Sequence, residues 1–113
     1  MKKHTMHANM NYFELLKNGR KKYEFRLNDE KRRNISIGDL LEIQCAEDKN
    51  NVYICKVVGI TKGLDFEGLL KEVNENQIGG MGKKQQIIEL NVLYSAVKIK
   101  NYGVIAIELG AYD

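Results

Sequence analysis

The stretch Gly19-Arg20-Lys21-Lys22-Tyr23-Glu24-Phe25-Arg26-Leu27 decides how this chain is read. From Lys22 to Leu27 polar and apolar side chains alternate strictly, and a period of two marks a half-buried strand. Tyr23, Phe25 and Leu27 are expected to look into a barrel core. Lys22, Glu24 and Arg26 are expected to look outward at a pocket. Tyr23 is in phase with the apolar row, so it reads as core rather than as a stacking platform.

Upstream, Tyr12, Phe13, Leu15 and Leu16 form an apolar stripe at helical spacing. Asn11 is the expected cap, with Glu14 three residues on in a capping-box arrangement. Asn18-Gly19 ends the helix, because glycine tolerates the left-handed conformation of a C-terminal cap. A short strand near Lys3–His7 precedes it. Downstream, Asn28–Ser36 is a polar excursion and Gly38-Asp39 a turn into a strand over Leu40–Cys45. Glu47–Asn51 is a hairpin loop leading to a β-branched strand, Val52–Ile60. Asp65 caps a helix over Phe66–Val73. Ile78–Gly82 is a flexible joint to a second helix over Lys83–Tyr94, with Ile87, Ile88, Leu90 and Leu93 as its apolar positions. Tyr102–Leu109 is nearly all apolar, as in a strand covered on both faces. Short strands in this number close economically into a small barrel plugged by helices.

The 113 residues fit one domain, and a 43% hydrophobic, 29% charged composition is that of a soluble globular chain. No apolar run reaches membrane-spanning length, and the polar residues after Met1-Lys2-Lys3-His4 argue against a secretory leader. A cytoplasmic location follows as the expectation. Cys45 and Cys55 lie in adjacent expected strands and read as small buried hydrophobes. His4 and His7 lack metal-ligand spacing, so neither a metal nor another cofactor is expected. The formal net charge is +3, yet Leu16–Asn34 holds eight cations against three anions, a local excess of +5. That focus suits either an anionic partner such as a phosphate-bearing ligand or a solvated basic loop.

Gly19–Arg26 follows the pattern G-x-K-x-x-E-x-R between a capped helix and a strand. This resembles the motif of the ASCH domain, a branch of the PUA-like superfamily. Asn11–Leu16, Ile37-Gly38-Asp39, Leu64–Leu70 and Tyr102–Leu109 are similar to further family segments in the same order, covering nearly the whole chain. The resemblance implies an α+β, PUA-like β-barrel with helices flanking a cleft, and one such domain over residues 1–113. It implies RNA or a nucleotide-like ligand as partner. It also implies a second possibility, a small hydrolase acting on a modified nucleoside such as acetylcytidine, or on RNA. In that hydrolase subgroup the motif reads G-x-K-x-x-T-x-R, so Lys21 matches a catalytic lysine and Glu24 replaces the threonine. The subgroup's helical glutamate is matched by Glu75 or Glu72.

Arg20, Lys21, Lys22, Glu24 and Arg26 are thus the expected ligand-binding residues, with Lys21 and Glu24 catalytic if the protein is an enzyme. Lys21 can hold a phosphate as a point charge, or act as a base if its pKa is lowered. Arg26 can grip a phosphate or carboxylate bidentately, or simply pair with Glu24. Tyr12 and Tyr53 are alternative stacking groups, although a core role suits each better. Gly79–Lys84 has a phosphate-loop flavour without the Walker spacing or a preceding strand, and an interhelix joint is the better reading.

Overall fold

A computed structural model describes residues 1–112. Its elements are β1 (Lys3–Ala8), α1 (Met10–Lys17), β2 (Tyr23–Leu27), α2 (Glu30–Arg33), β3 (Leu40–Cys45), β4 (Asp48–Gly63), α3 (Phe66–Leu70), α4 (Lys83–Leu93), α5 (Ala96–Tyr102) and β5 (Val104–Ala111). The strands form a single sheet in the order β1-β3-β4-β5-β2, with β1 parallel to β3 and every other pair antiparallel. β4 carries the curvature. Its first half pairs with β3, its second half with β5, and the register shifts between Val57 and Gly59, as a bulge that bends a strand does. The sheet curls until its two edges, β1 and β2, approach each other. No ladder joins them among the described residues; the Arg26 guanidinium spans the gap, its Nη2 donating to the His7 carbonyl at 2.6 Å. The barrel therefore has an open seam.

Two cores result. The interior of the curl gathers Met6 and Ala8, Leu41, Ile43 and Cys45, Cys55 and Val57, and Ile105, Ile107 and Leu109, plugged by Phe13 and Leu16 of α1. The outer face of β2 and β5 packs Tyr23, Phe25, Leu27, Val104 and Ala106 against Phe66, Leu69 and Leu70 of α3, Leu90 of α4 and Ile99 of α5. β5 is covered on both sides, as its apolar run required.

β2 is turned the other way from the expectation. Glu24 pairs with Ile107 and Arg26 with Ile105, so the ionic row shares the barrel-interior face while the aromatic row lies under the helices. The sequence showed the alternation, but not that both faces of the strand are covered.

Local departures have local causes. Asn9, not Asn11, caps α1: its backbone is extended and its side chain accepts from Tyr12 N at 3.0 Å. The hairpin turn is only Ala46-Glu47, because β4 begins at Asp48. Within the polar excursion Asp29 caps the single turn of α2, accepting from Arg32 N. A separate helix, α5, capped by Ser95, occupies residues expected to be connector or strand. Cys55 lies opposite Leu41, four residues from Cys45 along β3. Both thiols are buried and free, and burial pushes Cys55 up to about 12.

At the far end of β1 and β3, Asp39 forms a closed polar corner. Its carboxylate accepts from His4 Nε2 at 2.8 Å, Ser36 N at 3.0 Å and Lys2 N at 3.1 Å. These hydrogen bonds, His4's foremost, hold its carboxyl well below the usual carboxylate range.

Candidate functional site

The open seam holds a pocket of about 250 Å³. His7, Ala8, Asn9 and Tyr12 line it from the β1–α1 junction. Lys21, Glu24, Phe25 and Arg26 line it from the free edge of β2. Gln86, Leu90, Leu93 and Tyr94 close it from α4. β2 is an edge strand, which is why side chains from both of its faces reach the same concavity.

Lys21 is held there by its backbone. Gly19, at φ +81°, turns the chain out of α1. The Lys21 amide donates to the Leu15 carbonyl at 2.9 Å, and an isolated antiparallel bridge joins Lys21 to Ile78. On either side of it, Gly79 N donates to the Arg20 carbonyl and Lys22 N to the Gln77 carbonyl. Gly79 itself sits at φ +88°, where a Cβ would lie 2.9 Å from Leu15 Cδ1. The segment expected to be a flexible joint is thus a backbone clamp, with Ile78 buried in the outer core.

The clamp leaves Lys21 4% exposed. Its Nζ stands 4.1 Å from the centroid of the Tyr12 ring and 5.3 Å from that of Phe25. Such cation–π contacts contribute roughly 0.5–2 kcal/mol each. Among the described residues Lys21 forms no ion pair; the carboxylate of Glu24 is spent on Arg26, at 2.9 Å. Burial lowers the Lys21 pKa, with Arg26 adding to the effect and Glu24 and Glu89 opposing it. Burial works against the Arg26 charge too, but there Glu24 and Tyr94 together outweigh it and the pKa is raised. The Tyr12 hydroxyl donates to Glu89 Oε1 at 2.6 Å. Burial, reinforced by that bond, pushes its pKa up to about 12.

Gln86 is the side chain that sequence reasoning missed. It is 1% exposed, yet neither Oε1 nor Nε2 has a hydrogen-bond partner. The Tyr12 hydroxyl is near it, but outside hydrogen-bond geometry. An orphaned buried polar group costs roughly 1–3 kcal/mol, so an apolar residue would serve this wall better for stability alone. The missed signal was helix phase. α4 turns Gln86 and Leu90 inward, four residues apart, with Ile87 half-buried beside them, and leaves Ile88 and Leu93 exposed, so half of the expected apolar set faces the core and Gln86 takes a place the set did not include.

Of the five expected ligand-binding residues, Lys21, Glu24 and Arg26 meet in the pocket. Arg20 and Lys22 do not: both are exposed, Arg20 beside Gly80 and Met81 and Lys22 beside Tyr53 and Leu109. The remaining cations of the basic stretch lie elsewhere; Arg32 pairs with Asp29 at 3.2 Å, while Lys31 and Arg33 are exposed. The seam is therefore nearly balanced in charge rather than basic. Glu75 is also elsewhere. Its Oε2 accepts from Lys83 N at 2.9 Å, so a carboxylate already occupies the helix start that resembled a phosphate loop. Glu72 is exposed. The helical acid turned toward Lys21 and Tyr12 is Glu89. Tyr12 and Tyr53 both pack against the barrel core, and Tyr12 also lines the pocket.

The sequence profile of the ASCH domain matches residues 6–111. The chain belongs to the ASCH domain family. The hypothetical protein PH0355, known from a crystal structure, is 36% identical, with a TM-score of 0.81 over 99% of this chain and 100% of that one. PF0455 from Pyrococcus furiosus, solved by NMR in solution, is 34% identical, with a TM-score of 0.70 over 95% and 94%. The ASCH protein of Zymomonas mobilis shares the fold at 14% identity, with a TM-score of 0.66 over 98% of this chain and 68% of that one. No curated protein matches the chain. This ASCH domain has the expected α+β, PUA-like fold, with its five-stranded sheet curled into an incompletely closed barrel. Among the described residues no helix is long and apolar enough to cross a membrane.

Proposed function

We propose that the seam pocket binds a single nucleobase or nucleoside unit, presented by single-stranded RNA or by a free nucleotide. One observation carries this reading: a buried lysine without an ionic partner lies over an aromatic face in a small concavity that also holds a carboxylate, a guanidinium and an uncharged amide. Aromatic rings accept the flat face of a base, and charged groups hold its polar edge or phosphate. The volume fits one unit, not a helix or a length of strand.

The test is fluorescence anisotropy with a short single-stranded RNA, using Lys21→Ala as the variant. Binding should weaken at least tenfold in that variant. Among the lysines and arginines of the described residues only Lys21 and Arg26 line the pocket, so log affinity should fall with log salt at a slope no steeper than about −1.4. Affinity indifferent to Lys21 would remove the seam as the site.

A second reading is favoured by the lowered Lys21 pKa. Burial favours the neutral amine of Lys21 over the ammonium, and a neutral amine can take a proton from water. In a hydrolase of this kind, that water attacks the acyl carbon of an acylated nucleobase, and the carboxylic acid and the free amine leave. Incubation with acetylcytidine tests it. Cytidine release that Lys21→Ala abolishes supports hydrolysis; release no greater than in that variant removes this substrate.

A further inference from the structure

Gln86 is built into the pocket wall with its amide unpaired, and among the described residues it is the only pocket-lining side chain that is buried with both polar atoms unpartnered. No protein group meets its amide in hydrogen-bond geometry: the neighbouring Tyr12 hydroxyl gives its one proton to Glu89, which leaves the amide oxygen without a donor, and Arg26 is committed to Glu24 and the His7 carbonyl. A buried polar group left in this state calls for an explanation, and here the wall it stands in belongs to a concavity.

The other polar groups narrow what would complete it. Lys21 only donates, and an ionised Glu24 only accepts. A carboxamide presents one of each, side by side and in one plane. Resting on the base-binding reading above, we infer that Gln86 is the specificity-determining residue of the pocket, reading the paired donor and acceptor on the edge of an uncharged planar group such as a nucleobase. A group that fills the pocket as far as α4 supplies the two hydrogen bonds the amide lacks. A sugar phosphate without a base reaches the cations but has nothing to offer the amide. A site built around such a polar pair rejects ligands that leave it unpaired far more strongly than an apolar wall rejects a misfit.

The experiment uses the four ribonucleoside 5′-monophosphates and, as the baseless probe, ribose 5-phosphate. Binding is measured calorimetrically for the wild type, Lys21→Ala, Gln86→Met (closest in shape) and Gln86→Leu. The wild type should prefer at least one nucleotide over ribose 5-phosphate. Both Gln86 variants should lose about tenfold to a hundredfold in affinity for that nucleotide, while their affinity for ribose 5-phosphate stays unchanged. Both should also melt at a higher temperature than the wild type, because the orphaned amide is gone; a glutamine with a purely structural role would give the opposite shift. Nucleotide binding that needs Lys21 but survives both Gln86 substitutions overturns this inference and leaves the pocket standing. Absence of nucleotide binding by the wild type overturns the base-binding reading and this inference with it.

Discussion

Among the described residues the buried polar side chains, Asp39 on one hand and Lys21, Glu24 and Gln86 on the other, fall in two places that treat them differently. At the corner between β1 and β3, Asp39 is buried with three donors, and both of its carboxylate oxygens accept hydrogen bonds. At the seam between β1 and β2, Lys21 rests on aromatic rings and Gln86 on nothing that hydrogen-bonds it. Both arrangements oppose desolvation, which is costly for any buried polar group. The corner offsets that cost within the fold. The seam leaves it standing in the free protein, which is where binding of a ligand can recover it.

The comparison breaks most visibly through Glu24. It is the one seam group whose removal strands a neighbour, because Arg26 depends on it. Glu24→Ala should destabilise the domain by about 3–5 kcal/mol in urea unfolding, and Glu24→Gln, which keeps an acceptor, by less. Lys21→Met should run the opposite way. Replacing an unpaired buried ammonium with an apolar chain of similar length should be neutral or stabilising by up to about 2 kcal/mol, while ligand affinity is lost. A clear loss of stability in Lys21→Met would mean that the ammonium has a structural partner and that seam and corner are alike.

The corner is probed by acid. The Asp39 carboxyl is held below its unfolded value of about 3.9. Its contribution to stability is therefore complete above that pH and is lost as pH falls through the folded value. Asp39→Asn should lose this acid limb, seen as a smaller difference from the wild type at about pH 3 than at pH 7 in thermal melts. The smallest effects should come from the exposed cations. Arg20→Ala and Lys22→Ala should change stability by less than about 0.5 kcal/mol and leave ligand affinity intact, because neither lines the seam.

How much of this was legible in the sequence depended on where the information lay. The elements were largely readable, because alternation in Tyr23–Leu27 and the continuous apolar run of β5 are local signals. The gathering of Lys21, Glu24 and Arg26 was readable from the motif. The facing of β2 was not. A strand buried on both sides gives the same alternation whichever face meets the barrel, and only its pairing with Ile105 and Ile107 decides. The basic focus was misleading, because neighbours in sequence diverge around a turn: Lys21 goes inward while Arg20 and Lys22 remain in solvent. Gln86 was hidden by Ile87 and Ile88, which shift the apparent apolar face of α4 by a fraction of a turn. Glu89 lies 77 positions from Tyr12 in the chain, a pairing that no local pattern encodes.

The most direct test of the seam as the binding site is an amide chemical-shift titration of the ¹⁵N-labelled protein with single-stranded RNA and with a ribonucleoside monophosphate. Perturbations should concentrate at His7, Ala8, Tyr12, Lys21, Glu24, Gln86 and Leu90, and leave Lys31, Arg33 and Glu75 still. Perturbations that instead followed the exposed cations, with Gln86 and Leu90 unmoved, would contradict it.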